Sequence, residues 1–151
     1  MTPVLRQYQP GDREALVSLW SLCGLIRTWN DPYRDIDRKL TWDAPGLLVL
    51  EDDDELIGSV MVGYEGHRGW VNYLAVHPGH QRQGWGRVLM DEAERRLREL
   101  GCAKVNLQIR TSNEATVEFY RRIGYALDDV VSMGRRLDDD GSPPDPAGGV
   151  S

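Results

Sequence analysis

Gln81-Arg82-Gln83-Gly84-Trp85-Gly86 packs two glycines and an arginine between an apolar run, Val71 to Val76, and a helical stripe that starts at Trp85. Backbone N–H groups at a helix start have no intrahelical partner, so they are open to an approaching anion. Glycine lacks the Cβ that would keep a phosphate away. The segment reads as a pyrophosphate cradle, or as a tight strand-to-helix turn that binds nothing. Two common phosphate loops are excluded. A P-loop carries Lys and then Ser or Thr directly after its last glycine, where this chain has Arg87 and Val88. A Rossmann fingerprint carries a third glycine where this chain has Leu89.

Other residues offer chemistry less directly. Tyr120 sits on a helix whose apolar positions Ala115, Phe119 and Ile123 are four apart. A phenol with a pKa of about 10 stays protonated at neutral pH and can donate, though a half-buried aromatic would look the same. Ser112 or Asn113 caps that helix. His77 and His80 lie on a Pro-Gly loop with no third ligand visible in sequence, so no metal site is expected. Cys23 and Cys102 form no C-x-x-C or zinc pattern and read as reduced thiols.

The elements that would position these residues follow from periodicity. Val4 to Tyr8 is a short strand. Ala15, Leu16, Leu19, Trp20 and Cys23 share one helical face, and Gly24 stops that helix. A weaker helix runs from Asp31 to Trp42 with Ile36, Leu40 and Trp42 inward. Three antiparallel strands are expected at Leu47 to Leu50, Leu56 to Tyr64 and Trp70 to Val76. Then come a helix with Trp85, Val88, Leu89, Ala93, Leu97 and Leu100 inward, and a strand in which Val105, Leu107 and Ile109 alternate with polar residues. A helix between two strands favours their parallel pairing. The helix of Tyr120 ends at Gly124, and Tyr125 to Leu127 with Val130 to Leu137 suggest a closing strand pair. The fold class is α/β: a mixed, mostly antiparallel sheet flanked by about four helices in one domain, residues 1–137. Residues 138–151 are acidic and rich in Pro and Gly, which predicts a disordered tail.

Of the net charge of −6, four units come from Asp138, Asp139, Asp140 and Asp145, leaving −2 on the body. That argues against nucleic-acid binding. No apolar run could span a membrane, and no leader-like segment opens the chain, so a cytoplasmic location is expected.

Gln81-x-x-Gly84-x-Gly86 after Leu74-Ala75-Val76, followed by Asn113, Ala115, Phe119-Tyr120 and Gly124-Tyr125, resembles the GNAT superfamily of N-acetyltransferases. The resemblance covers about Met1 to Leu137. Trp29-Asn30-Asp31-Pro32, Arg38-Lys39-Leu40 and the segment Gly63 to Gly69 look like the small bacterial YpeA-type branch. What the resemblance implies is a GNAT-like fold and acetyl-CoA as cofactor. The backbone of Leu74, Ala75 and Val76 would pair with the pantetheine arm. The backbone of Arg82, Gln83, Gly84, Trp85, Gly86 and Arg87, with Gln81 leading in, would hold the pyrophosphate. Asn113 would touch the arm, and Tyr120 would be the general acid and lie at the cofactor.

The loop with Trp29, Asn30, Asp31 and Tyr33 borders the acceptor in that fold; packing of Trp29 beneath it is the equal alternative. RimI-type enzymes carry a Glu where this chain has Gln108, and an amide cannot take a proton at useful pH. Glu65 is then the substitute base, or a solvated hairpin carboxylate. The expected activity is acetyl transfer to a small-molecule or peptide amine, with a homodimer as the expected assembly. The alternatives are RimI-type protein N-terminal or Lys acetylation and a non-catalytic acyl-CoA sensor.

Overall fold

Leu47-Leu48-Val49-Leu50 is buried at every position, as befits a strand covered on both faces of its sheet. The computed structural model describes residues 2–138. In it this run opens β2 (Leu47–Asp52), which lies between β1 (Val4–Gln7) and β3 (Glu55–Tyr64). Next come β4 (Gly69–Val76) and, at the far edge, β5 (Val105–Leu107). Pairing is antiparallel from β1 to β4 and parallel between β4 and β5. The helix α3 (Trp85–Glu99) makes the crossover that a parallel pair requires.

The alternation of β2 divides the interior. Leu48 and Leu50 join Leu89, Met90, Ala93 and Leu97 of α3, and Tyr120 of α4 (Glu114–Arg122). Leu47 and Val49 join Leu16, Leu19 and Trp20 of α1 (Arg13–Leu22), and Ile36 of α2 (Pro32–Asp43). The expected inward faces hold with local exceptions. Ala15 is exposed, and Trp42 is 84% exposed. At 3.6 residues per turn, Trp42 falls well off the stripe shared by Ile36 and Leu40. On α3, Met90 is buried, while Val88 and Leu100 are exposed.

The chain after α4 departs from expectation. Neither Tyr125 to Leu127 nor Val130 to Leu137 forms a strand. Polar side chains bind this segment instead of a backbone ladder. Asp128 meets Lys104 at 2.9 Å and accepts from Asn106 at 2.9 Å, and Gln108 donates to Ser132. Further on, Arg136 donates to Asn30 at 3.0 Å, and Asp138 lies 3.3 Å from Arg38. Val131 and Met133 stay outside the core. The remainder of the expected tail lies outside the described residues. No helix among the described residues is long and apolar enough to cross a membrane.

One polar group is fully buried between the sheet and α1. Ser59 accepts from Trp20 Nε1 at 2.9 Å and donates to the Tyr73 carbonyl at 2.8 Å. The Trp20 ring stacks on Tyr73 at 3.7 Å, tilted by 13°. Ser59→Ala strands one buried donor and one acceptor, and should lower the unfolding free energy by about 1–3 kcal/mol. Urea denaturation reads this directly; a change within about 0.5 kcal/mol, ordinary for a surface site, would refute the role given to Ser59.

Candidate active site

Two irregularities in neighbouring strands open the molecule beside the sheet. On the β3 side, Asn72 faces Met61 and Ala75 faces Ser59, so Tyr73 and Leu74 together oppose Val60. This is a bulge, with Tyr73 at φ +51°, a left-handed conformation unfavourable for a bulky residue. Trp20 and Ser59 hold it from beneath. On the other side, β5 pairs with β4 only from Gly69 to Val71. Beyond that point the two chains part.

The gap is a cavity of about 610 Å3. Asn72, Tyr73 and Leu74 form one wall, and Leu107, Gln108 and Arg110 another. Asn113 and Tyr120 line it from α4 and its cap, and Arg27, Asn30 and Asp35 from α2 and the loop before it. Loss of the parallel ladder leaves backbone groups of both walls facing the gap, where an extended chain can pair with them.

The glycine loop lies outside this cavity, on the exposed surface at the start of α3. Its two glycines have different physical reasons. Gly84 adopts φ +87°, and a Cβ there would meet nothing within 4 Å. At Gly86 a Cβ would sit 3.0 Å from Phe119 Cζ, so this glycine lets α3 approach α4. No side chain caps α3. Its first N–H groups and dipole therefore stand open in an exposed loop flanked by Arg82 and Arg87. Gln81 Nε2 donates to the Val76 carbonyl at 3.1 Å and ties the loop to the end of β4. Cys23 Sγ donates to the same carbonyl at 3.3 Å, so that oxygen is committed internally. Trp85 Nε1 donates to Gln83 Oε1 at 3.1 Å.

Tyr120 is 6% exposed, with Phe119 and Tyr125 edge-on at 5.0 and 5.5 Å. Desolvation pushes its hydroxyl well above the ordinary phenol range. Asn113 caps α4 by accepting from Thr116 N at 3.2 Å, and also lines the cavity. Gln108 lines it too while donating to Ser132.

Glu65 requires a correction. Its Oε1 accepts from the backbone N–H groups of Arg68, at 2.5 Å, and His67. Those bonds hold its pKa below the usual glutamate range. It is an exposed hairpin cap outside the cavity lining, and its lowered pKa makes it a weaker proton acceptor. The expected substrate loop also divides. Asn30 lines the cavity. Asp31 caps α2 by accepting from Tyr33 N and Arg34 N. Tyr33 donates to Glu14 at 3.0 Å, away from the gap. Trp29 lies under the Arg110 guanidinium, 4.8 Å from ring centroid to Cζ.

Several cavity residues escaped sequence reasoning. Tyr73 donates to Asp35 Oδ2 at 2.5 Å, linking the bulge to α2. Neither residue belongs to a motif, and their sequence separation hid the pair. Arg27 also lines the cavity and belongs to no motif. The histidine loop gains a third ligand-type side chain, Glu55, whose Oε1 is 3.6 Å from His77 Nε2. His77 Nδ1, however, accepts from Gly79 N at 3.0 Å. A neutral ring accepting there carries its proton on Nε2, beside the Glu55 carboxylate.

Comparison with known proteins bears on this geometry. Residues 13–125 match the model of the acetyltransferase (GNAT) family. An acetyltransferase of Pectobacterium atrosepticum is 41% identical over 136 residues, covering 90% of this chain and 96% of the relative. AAC(6')-Iy, solved with the bisubstrate analogue CoA-S-monomethyl-acetylneamine, has a TM-score of 0.72 at 16% identity, covering 91% of this chain and 100% of that one. A GNAT-family chain from Desulfovibrio desulfuricans has a TM-score of 0.75 at 22% identity, covering 86% of this chain and 89% of its own. These two structural likenesses establish a shared fold, and the family match and the Pectobacterium relative go further: this chain belongs to the acetyltransferase (GNAT) family and is an acyltransferase.

Proposed function

We propose that the protein transfers the acetyl group of acetyl-CoA to a primary amine by direct attack. The observation that carries this reading is the parting of β4 and β5, with Tyr120 lining the gap and the uncapped start of α3 near the end of β4. The residues suit this cofactor. The α3 N–H groups, with Arg82 and Arg87 beside them, offer a place for a pyrophosphate. Leu74 and the Asn113 side chain border a slot for an extended arm, whereas the Val76 carbonyl is taken by Gln81 and Cys23. The cofactor supplies an activated thioester.

The chain's own residues provide position and a proton. A new C–N bond forms as the C–S bond breaks; the nitrogen gives up one proton to solvent, and the sulfur takes one from the Tyr120 hydroxyl, which regains it from solvent. Burial keeps that hydroxyl protonated until it is needed. The amine must arrive neutral, which favours an acceptor of low pKa, since an α-amine at about 7.7–8.0 needs far less help than a lysine at about 10.4. Gln108 stands where RimI-type enzymes carry a glutamate, and its amide is engaged with Ser132. Both facts weigh against that substrate class. Tyr120 on the cavity weighs against a sensor without activity.

Tyr120→Phe should lower kcat for coenzyme thiol release by about 100-fold or more while KM for acetyl-CoA changes little. Unchanged turnover would remove Tyr120 as the acid. Acetyl-CoA at about 100 times its Kd should stabilise the protein by about 2.7 kcal/mol, and a melting temperature that stays put would reject the cofactor. The same tyrosine contributes to alkaline stability. An unfolded tyrosine loses its proton at about pH 10, while folded Tyr120 retains it beyond that point. The folded state then binds more protons, so stability should fall as pH rises past about 10. Chemical denaturation across this range should show a shallower fall in Tyr120→Phe than in the parent; equal slopes would contradict the buried phenol.

A further inference from the structure

After Tyr125 the chain runs back over the molecule without joining its core. Leu127, Val130, Val131 and Met133 are between 70% and 92% exposed. Among the described residues, 126–135 make no backbone–backbone hydrogen bond. Burial therefore does not fix the course of this segment, and polar side chains do. Asp128 is tied to Lys104 and Asn106, so the run begins beside β5. Ser132 then accepts from Gln108, and Arg136 donates to Asn30 at 3.0 Å. Asp138 ends the run on α2, 3.7 Å from Arg34 and 3.3 Å from Arg38.

Two of these anchors are cavity residues on different walls. Gln108 belongs to the wall at β5, and Asn30 to the wall before α2. Ser132 and Arg136 bind them from outside the lining. Four residues span at most about 14 Å between Cα atoms, so the tether between the two walls is short. The cavity measures about 610 Å3, a volume suited to a small molecule. With acetyl-CoA bound, part of it also receives the arm of the cofactor. A small amine can pass beside such a tether. An amine at the head of a peptide has to bring its following residues past it as well.

Resting on the acetyltransferase reading above, we infer that residues 128–138 form a strap across the acceptor opening that selects small amines over peptides. Ser132 and Arg136 set this specificity by holding Gln108 and Asn30. Both are positioning residues, acting through the cavity residues they bind. A segment held by a few polar contacts opens locally at little cost, so removing its anchors loosens the strap and leaves both core clusters intact.

The test uses the full chain with acetyl-CoA and acceptors that share one α-amine: an amino-acid amide, and peptides of increasing length that begin with the same residue. The parent should prefer the amide to the longest peptide in kcat/KM by about tenfold or more. Ser132→Ala combined with Arg136→Ala should bring that ratio to within about threefold. The gain should come through KM for the peptides, with KM for acetyl-CoA and the melting temperature unchanged. Ser132→Thr and Arg136→Lys keep the hydroxyl and the cation, and should keep the preference. A parent that uses the peptides as well as the amide would overturn the inference, as would a ratio that both alanines leave in place. A lowered melting temperature with kcat reduced alike for every acceptor would reduce the strap to a structural role and overturn it too. Access to the cavity is read in parallel without cofactor. Met61, half-buried in the lining, is replaced in Met61→Cys, and labelling by N-ethylmaleimide is compared with labelling by a maleimide on a polyethylene glycol chain. Peptide mass spectrometry counts Cys23 and Cys102 separately. Removing the anchors should speed the large probe by about tenfold and the small one little. Faster entry of the large probe, with no thiol release for any amine, would uphold the strap and sink the transfer reading. Thiol release, with neither labelling nor the length preference changed by the two alanines, would do the reverse.

Discussion

Tyr73 occupies a backbone conformation that a bulky side chain adopts only under constraint, and the active site depends on it. Placing two residues of β4 opposite Val60 bends the strand away from its parallel neighbour. An unbulged β4 would let β5 continue its ladder and close the gap. The left-handed residue is held at three points: ring stacking on Trp20, the bond from Ser59 to its carbonyl, and its own hydroxyl on Asp35. Two of these anchors lie in the core shared with α1, so the sheet, the first helix and the site are mechanically one object.

That coupling divides the labour. The side proposed for the acetyl donor is built from backbone: an uncapped helix start and the strand edges where β4 and β5 part. Such groups recognise a phosphate or an amide chain with little help from side chains, and Arg82, Gln83 and Arg87 are exposed. The far side of the cavity is lined by side chains drawn from separate elements. Asp35 comes from α2, Arg27 from the loop before it, and Arg110 from the chain after β5. Tyr120 stands where the halves meet, dry enough to keep its proton.

The segment after α4 shows how polar side chains can replace a ladder. Asp128, Ser132, Arg136 and Asp138 recur every two to four residues, and each meets a partner on β5, just past its end, on the loop before α2, or on α2 itself. A strand reading of Val130 to Leu137 was natural from its apolar content. It failed because strand pairing needs a backbone partner at ladder distance, and β5 meets this segment through its side chains.

The sequence alone carried the donor half. Gln81-x-x-Gly84-x-Gly86 and Asn113 to Tyr125 are local patterns, and local patterns are legible because helix starts, caps and turns depend on neighbouring residues. Even there the reason for Gly86 was hidden, since the Phe119 ring that excludes a Cβ comes from another helix. The acceptor half was invisible for the same reason. Asp35 and Tyr73 are 38 positions apart, Glu65 looked suited to a base until its hairpin claimed both backbone bonds, and Asp31 proved to be a helix cap. Which charged groups share a cavity is decided by how helices cross a sheet. Only the tertiary structure could bring Asp35 and Arg27 to one cavity, because their positions depend on how α2 and the loop before it pack against the sheet.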